Sequence, residues 1–206
     1  KLWQKNGAVA LDFAAFGGTA RNCSGGLTAW GNIITCEETS SADLNGDGYF
    51  DLGWHVETNP ATKTVVRKLW AMGNGAKENI VIHSNRRTAY FGNDLATGYL
   101  YKFVANTADD LSSGTLYALI CPSKTGNGTW TPIANTTQTQ RNTTLTLCNT
   151  AGATVFNGIE DVEIGPDGKI YFAVKNENRV YRLTDSDPLS GTTTSAMETY
   201  VGNMSY

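Results

Sequence analysis

The sequence predicts an all-β protein built as a β-propeller, of which about three blades lie in this chain. The first observation is composition: of 206 residues, 22 are glycine and only 17% are charged, with threonine and asparagine frequent between short apolar runs. The second is an internal repeat of strands, and the third is a glycine-rich stretch, Gly17–Glu38, that fits the same repeat. This length suffices for one globular domain, so we treat residues 1–206 as one propeller-like domain.

Charge and hydropathy argue against several classes of protein. The net charge is -3, which gives no indication of nucleic-acid binding or of a basic membrane patch. No apolar run approaches the roughly 18 residues that a membrane-spanning helix needs. The chain shows no signal peptide and does not begin with methionine, so we expect a mature protein or a piece of a longer one.

Apolar and alternating runs predict the strands that precede the repeat. The first is Gly7–Phe16, and the second is Trp30–Thr35. Two more follow at Gly53–Glu57 and Thr64–Ala71, and Pro60 marks the turn between them.

Two segments of the chain repeat the same order of strands and turns. One begins at Glu78 (ENIVIHSNRRTAYFGNDLATGYLYKF) and the other at Glu160 (EDVEIGPDGKIYFAVKNENRVYRL). The two glutamates are 82 residues apart, and Phe91 and Phe172 are 81 apart, so the register is kept across the unit. Repeated units of three or four short antiparallel strands are typical of propeller blades.

The glycine-rich stretch fits the same template, with Cys23 in the place of the glutamate. Asn32–Thr35 is then the middle strand and Trp54–Glu57 the third. The first strand of each blade lines the central channel of a propeller. We therefore expect Cys23, Glu78 and Glu160 to face one another at one mouth of the channel. The alternative is that the two glutamates are ordinary surface residues that open strands.

Paired carboxylates, Glu37 and Glu38, end the second predicted strand. An exposed thiol at Cys23 beside them would combine a soft metal ligand with hard ones. The alternative is a structural disulfide between Cys23 and Cys36, with both glutamates solvated.

The cysteines also bear on the compartment of the protein. Four cysteines fit an oxidising compartment. Cys121 and Cys148 flank a polar, threonine- and asparagine-rich insertion, residues 123–149, and we expect a disulfide between them. Asn-x-Ser/Thr sequons, a weak sign of glycosylation in a threonine-rich chain, occur at Asn22, Asn127, Asn135, Asn142 and Asn203.

The segment DLNGDGYFD has the spacing of a calcium-binding loop. Oxygen-bearing side chains stand at its positions 1, 3, 5 and 9, and a glycine at position 6 takes the sharp turn. Trp54 stands where an EF-hand would have its glutamate, so we predict a calcium loop within a β-hairpin; the alternative is a solvated turn. The predicted ligands are Asp43, Asn45, Asp47, Asp51 and the main-chain carbonyl of Tyr49.

The predicted strand Thr115–Ile120 completes the second blade. The predicted propeller does not form a closed ring within this sequence. Three blades are visible where four to eight are usual. Either more chain exists or copies of the chain associate, because unpaired blade edges invite the addition of strands from a second molecule.

These residues resemble those of a known family, the PhoX-type alkaline phosphatases of bacteria. The matching segments cover most of Gly17–Leu183 in the family's order, and the first is the most specific. They are NCSGGLTAWGNIITCEE, GWHVETNP, KENIVI with GNDLATGYLYKF and GTLYALI, and NGIEDVEIGPDGKIYFA. Members of the family are several hundred residues long, so the resemblance covers only part of their length.

The resemblance implies a six-bladed propeller that hydrolyses phosphomonoesters with a cluster of ferric iron and calcium at the channel mouth. It also implies a bacterial protein that is secreted, periplasmic or on the cell surface. Cys23 would be the thiolate ligand of iron. The carboxylate ligands would be Glu78, Glu160, Glu38, Glu37 and Asp94.

The chain departs from the family pattern at two places. Lys77 stands before Glu78 where the family has a histidine, and Gly158–Ile159 stands before Glu160 where it often has Arg-Pro. The resemblance implies that this arginine binds the substrate phosphate, so its loss removes a bidentate clamp. Lys77 would partly replace it as a point charge, and we therefore place Lys77 and Glu78 in the predicted catalytic site.

A different class of function fits the same residues. The missing arginine and the unclosed ring favour a non-enzymatic, calcium-stiffened extracellular protein that serves adhesion or self-assembly. A calcium-dependent propeller lyase or lactonase is a third interpretation, but the active-site histidines it needs are not evident. His55 and His83 are the two histidines of the chain, and we expect His55 to be packed in the core.

Overall fold

The computed structural model describes residues 2–3, 9–11, 18–191 and 194–202, and most of their regular structure is antiparallel β-sheet. No helix in this described part is long and apolar enough to cross a membrane. Its strands are β1 (Leu2–Trp3), β2 (Val9–Leu11), β3 (Asn22–Leu27), β4 (Ile33–Glu37), β5 (His55–Asn59), β6 (Thr64–Lys68), β7 (Lys77–Ile82), β8 (Thr88–Asn93), β9 (Leu100–Thr107), β10 (Asp110–Ile120), β11 (Gly126–Ile133), β12 (Ile159–Ile164), β13 (Ile170–Val174), β14 (Arg179–Asp185) and β15 (Thr194–Val201). Its helices are α1 (Gln138–Asn142) and α2 (Thr144–Thr150).

The strands form three blades of four, which confirms the predicted propeller architecture. The first blade is β3 to β6, in a four-stranded sheet of its own. The second blade is β7 to β10 and the third is β12 to β15. Strand β11 pairs with β10 on one side and with β15 on the other, so these two blades share one nine-stranded sheet. This junction between outer strands was not predicted from the sequence.

The first strands of the blades lie close together at the centre of the molecule. A Cβ atom at Gly26 of β3 would lie 2.2 Å from the carbonyl oxygen of Ile80 in β7. One at Gly92 of β8 would lie 2.3 Å from the side chain of Ile159 in β12. These glycines therefore permit the close approach of neighbouring blades, and the nine-stranded sheet curls until its two ends nearly meet.

Two apolar clusters fill the spaces between the blades. The first contains Phe91 and Tyr101, whose rings stack with centroids 5.1 Å apart. The second contains Phe156, which packs edge-on against Phe172 at 5.1 Å. Aromatic pairs at these separations are stabilising beyond the area they bury. His55 packs edge-on against Phe91 and is fully buried, as predicted.

The cysteines are free thiols, which corrects the predicted disulfide between Cys121 and Cys148. The two side chains lie in different apolar clusters, Cys148 in the first and Cys121 in the second. The Sγ atom of Cys148 lies 3.7 Å from the hydroxyl oxygen of Tyr101. The alternative disulfide between Cys23 and Cys36 is not formed either.

The polar insertion, residues 123–149, contains β11, α1 and all but the last residue of α2. Helix α1 begins with a capping box, in which the Thr137 hydroxyl accepts from the Gln140 main-chain N–H and the Gln140 side chain accepts from that of Thr137. This Thr-x-x-Gln signal is present in the sequence, but the insertion's polar composition obscured it. Helix α1 contacts the predicted calcium loop, because Asn142 donates to the carbonyl of Gly48 at 2.9 Å.

Several predicted strands differ from the structure in their limits; for example, the predicted strand Gly53–Glu57 is shifted to β5. The predicted strand Trp30–Thr35 is shifted to β4, because Gly31 has a positive φ of 88° and belongs to a turn. Strand β6 ends at Lys68, and a 3-10 turn follows. Of the predicted strand Gly7–Phe16, only β2 is described, and the rest lies outside the described residues.

Glu37 holds the start of the first blade to its long hairpin loop. Its carboxylate is fully buried and accepts hydrogen bonds from the main-chain N–H groups of Gly53 and Trp54 at 3.0 and 3.1 Å. The other oxygen accepts from the hydroxyl of Thr19 at 2.8 Å and lies 3.3 Å from the ammonium group of Lys68. Both oxygens are therefore committed to the scaffold, since they bond to four partners within the fold.

We expect Glu37→Gln to lower the free energy of unfolding by about 2–3 kcal/mol, because a neutral amide cannot balance Lys68 or accept at both oxygens. The matched control is Glu38→Gln, at a half-buried neighbouring glutamate. It should change stability by less than about 0.5 kcal/mol in metal-free buffer. Urea denaturation of both variants tests this. Equal losses in the two variants would contradict the structural role of Glu37.

Candidate metal centre at the channel mouth

Thiol and carboxyl groups from the first two blades meet where their inner strands begin. The Sγ atom of Cys23 on β3 donates to Oε1 of Glu78 on β7 at 2.7 Å. Glu38, directly after β4, completes the group, and one ligand atom from each of the three lies within 4.8 Å of the others. Cys23 is exposed, whereas Glu78 is buried. The group therefore opens to solvent on the side of the first blade.

A second group of carboxyls shares Glu78 with the first. Oxygen atoms of Glu78, Asp94 and Glu160 also lie within 4.8 Å of one another. Asp94 directly follows β8, and Glu160 is on β12, so this group joins the second and third blades. Together the two groups form one cluster of a thiol and four carboxyl groups, which we call the mouth cluster. The structure thus brings together the three residues expected to converge.

The mouth cluster follows from equivalent positions in the three blades. Cys23, Glu78 and Glu160 are each the second residue of the first strand of a blade. Because the first strands lie side by side, their second residues meet at one end of the channel. The register of the repeat therefore determines the cluster.

A second set of equivalent positions directly follows the second strand of each blade. Glu38 follows β4, Asp94 follows β8 and Lys175 follows β13. The ammonium group of Lys175 lies 2.6 Å from Oδ2 of Asp94 and 2.7 Å from Oε1 of Glu160. Sequence reasoning missed Lys175, although it is 81 residues from Asp94, the same interval that separates Phe91 from Phe172.

The electrostatics of the mouth cluster favour a bound cation. The hydrogen bond to Glu78, aided by desolvation and by the charges of Glu78 and Glu38, raises the pKa of the Cys23 thiol to about 12. Burial raises the pKa of Glu78, and the charges of Glu38, Glu160 and Asp94 raise it further. The hydrogen bond to Glu78 thus favours the protonated thiol of Cys23, while burial and the neighbouring carboxylates make Glu78 harder to ionise. A metal ion would reverse this preference, since its positive charge favours the deprotonated ligands.

Two predicted site residues lie away from the mouth cluster. Glu37 points into the fold, where its oxygens bond to the scaffold. Lys77 is fully buried with its ammonium group 4.8 Å from the ring centroid of Phe91 and 5.0 Å from that of Tyr101. Consecutive strand residues point to opposite faces, so Lys77 turns into the core while Glu78 faces the channel. In the structure the ammonium group of Lys77 thus lies in the core beside these two rings, and a role towards phosphate stays a prediction.

The predicted calcium loop is compact, and its side chains turn inward onto its own backbone. The carboxylate of Asp43 accepts from the main-chain N–H groups of Gly46 and Gly48 at 2.7 and 2.8 Å. Asn45 accepts from the N–H of Asp47, and Asp47 accepts from that of Tyr49. One carboxylate oxygen of Asp51 is buried without a hydrogen-bond partner. The structure therefore keeps these residues in one loop, and their binding of calcium stays a prediction.

The fold and the mouth cluster together define a propeller-type protein with a candidate metal centre at the channel mouth. The family model described as alkaline phosphatase PhoX matches residues 6–200, so the chain belongs to the alkaline phosphatase PhoX family. No match is found among curated proteins.

A solved structure has the same fold over most of this chain. It is Pseudomonas fluorescens PhoX in complex with vanadate, a transition state analogue. The TM-score is 0.71 at 21% sequence identity, and the match covers 88% of this chain. It covers 47% of that chain, so the present chain spans about half the length of this relative.

We expect Lys77→Met to raise the free energy of unfolding by about 1–2 kcal/mol, because the variant replaces a buried ammonium group that has no hydrogen-bond partner. Lys102→Met is the matched control, at an equally buried lysine whose ammonium group lies 2.5 Å from Oδ2 of Asp185. It should lower stability by about 3 kcal/mol, since Asp185 is left buried without its counter-ion and retains the hydroxyl of Tyr90 as a hydrogen-bond partner. Urea denaturation measures the free energy of unfolding of both variants, which should change in opposite directions.

Loss of stability in both variants would contradict this account of Lys77. It would mean that the contacts of its ammonium group with the two rings outweigh the penalty of its burial.

Proposed function

We propose that this chain is the metal-binding part of a phosphomonoester hydrolase. The observation that carries the proposal is the mouth cluster, in which three blades supply a thiol and four carboxyl groups to one place. Membership of the alkaline phosphatase PhoX family supports the reaction class. The likeness to the vanadate complex supports it as well, because vanadate is described there as a transition state analogue.

The donor set fits a mixed cluster of ferric iron and calcium. A thiolate at Cys23 suits iron, and carboxylates suit both ferric iron and calcium. The carboxylate donors are Glu38, Glu78, Asp94 and Glu160. Bound metal ions would supply positive charge to the phosphate oxygens and would lower the pKa of a bound nucleophilic water.

The chain's own residues would hold and orient the ions. Glu78 belongs to both halves of the mouth cluster, so it would serve as a ligand common to both groups of donors. Cys23 would release its proton on binding iron, because only the thiolate is a ligand. Uptake of iron would therefore release protons and strengthen as the pH rises. The backbone of β7 and β12 fixes Glu78 and Glu160 from two neighbouring blades, which limits their movement.

Elemental analysis of protein purified without chelators tests the metal site. The wild-type protein should contain iron and calcium, and Cys23→Ser should reduce the iron content at least about tenfold, because a serine hydroxyl replaces the thiolate. Fold-linked calcium should remain. Ser24→Ala, at an exposed neighbour, is the control and should keep both metals. Hydrolysis of p-nitrophenyl phosphate should follow the iron content.

A wild-type protein with neither metal, or a Cys23→Ser variant with full iron content, would contradict the proposed metal site. Iron binding without hydrolysis would retain the site and refute the activity for this chain. The remaining half of the relative's length would then be the place to look for missing groups.

We also propose that the loop from Asp43 to Asp51 binds calcium and stiffens the first hairpin. Support comes from the ligand spacing and from the buried, unpartnered oxygen of Asp51. The loop also contacts α1, through the bond from Gln138 to the carbonyl of Asp47 at 3.0 Å. Calcium bound there would therefore stabilise both the hairpin and the helix.

Asp47→Ala should lower the melting temperature when calcium is present and should have little effect without it. The reason is that, without calcium, loss of the exposed carboxylate removes only one solvent-exposed hydrogen bond, from the main-chain N–H of Tyr49, whereas with calcium it also removes a ligand. Calorimetry with calcium and with a chelator measures the difference. Equal melting temperatures of the wild-type protein in the two buffers would contradict calcium binding by this loop.

A second candidate function is a non-enzymatic, self-associating surface protein. The outer edge of the first blade favours it: β6 pairs on one side only within the described sheet, and its Val65 and Val66 are 36% and 39% exposed. An apolar, unpaired edge can accept a strand from a second copy. A chain that bound no metal and formed oligomers would support this function. In either case, family membership supports a bacterial protein that is secreted, periplasmic or on the cell surface.

A further inference from the structure

Lys175 is the described residue whose ammonium group forms ion pairs with the mouth cluster. It bridges Asp94 of the second blade and Glu160 of the third, at 2.6 and 2.7 Å. Its side chain is 47% exposed, so the ammonium group lies at the solvent side of the cluster. A single lysine thus supplies positive charge at the junction of two blades.

The backbone holds Lys175 in this position. Its N–H donates to the carbonyl of Gly158 at 2.9 Å, and the next N–H, of Asn176, donates to that of Asn157 at 3.2 Å. The 3-10 turn that carries Lys175 is therefore attached to the segment that leads into Glu160. These two hydrogen bonds keep the main chain of Lys175 close to the mouth cluster, even if its side chain changes partners.

The side chain of Lys175 passes over Gly158, and this glycine leaves the room that it needs. A Cβ atom at Gly158 would lie 2.9 Å from Cγ of Lys175 and 3.1 Å from Oδ1 of Asp94. The φ angle of Gly158 is 81°, which other residues rarely adopt. Because Gly158 has no side chain, the methylene groups of Lys175 have room to pass over it.

Lys175 is positively charged, whereas the residues at the equivalent positions of the other two blades are acidic. Glu38 and Asp94 occupy the equivalent positions of the first and second blades and carry carboxylates. A ligand role explains carboxylates at those positions, but an ammonium group cannot bind a metal ion while protonated. The third blade therefore presents a cation beside the ligands, where it can attract an anion instead.

We propose that Lys175 is the phosphate-binding side chain of the metal-loaded site, an inference that rests on the proposed function. A metal ion of charge two or three attracts Asp94 and Glu160 more strongly than one ammonium group does. Metal binding therefore releases Lys175 from both carboxylates, while its backbone keeps it at the channel mouth. The released ammonium group then pairs with a phosphate dianion at the ions. In metal-free protein Lys175 therefore competes with metal ions for Asp94 and Glu160. In metal-bound protein it would bind the phosphate group of the substrate.

Calorimetric titration of wild-type protein, Lys175→Met and Lys175→Arg tests both roles. All proteins, the wild-type reference included, carry Asp47→Ala, which removes the proposed calcium loop. Calcium alone, titrated into the chelator-treated proteins, should then bind more tightly by several-fold when Lys175→Met is present, because the competing ammonium group is gone. Inorganic phosphate, titrated into metal-loaded protein, should bind Lys175→Met about tenfold more weakly, the loss expected for one charge-assisted hydrogen bond. Lys175→Arg should keep most of the phosphate affinity. Lys169→Met, at a lysine that pairs with Glu198, is the control and should change neither affinity.

The outcomes separate the failure of this inference from the failure of the proposed function. If wild type binds metal and phosphate, and Lys175→Met binds phosphate equally well, then only the role of Lys175 is refuted. If Lys175→Met loses its affinity for metal, then the lysine holds the carboxylates in place, and the competition is refuted. If wild type binds neither calcium nor phosphate, then the metal site and the role of Lys175 are refuted together.

Discussion

The crowding of acidic groups at the channel mouth is the constraint on which the site depends. A thiol and four carboxyl groups lie within short reach of one another, and Glu78 belongs to both halves of the cluster. Such groups repel when ionised, so the fold must leave protons on them or supply positive charge. In the structure the thiol of Cys23 donates a hydrogen bond to Glu78, which raises the pKa of the thiol, and Lys175 supplies positive charge between Asp94 and Glu160. The propeller holds this unfavourable arrangement because it is fixed by the backbones of three blades.

The repeat made much of this arrangement predictable from sequence. The matching register of the units starting at Glu78 and Glu160 predicted the blades and the convergence with Cys23, because equivalent strand positions meet on one axis. The direction of Lys77 was predictable too, since it precedes Glu78 in a strand and must face the opposite way. The rings of Phe91 and Tyr101 accordingly surround its ammonium group on the side of β7 away from Glu78.

Other features depended on contacts that a single sequence does not reveal. The junction of β11 with β15 joins residues about 70 apart, and neither strand belongs to the regular part of the repeat. The disulfide was expected from the places of Cys121 and Cys148 in the chain, but they lie in separate apolar clusters. Lys175 was overlooked because its residue type does not suggest a ligand. Its position in the repeat, rather than its chemistry, was the useful signal.

The junction of β11 and β15 divides the mouth cluster into two mechanically different halves. Continuous hydrogen bonding through the nine-stranded sheet connects Glu78 and Asp94 to Glu160. The first blade, which carries Cys23 and Glu38, has no described strand pairing to that sheet and meets it through side-chain packing and single hydrogen bonds, such as those of Cys23 to Glu78 and of Arg67 to Asp110. Strand pairing therefore fixes the spacing of Glu78, Asp94 and Glu160 more firmly than it fixes the position of Cys23 and Glu38. If a bound ion of different size displaced any ligands, we would expect it to displace those of the first blade.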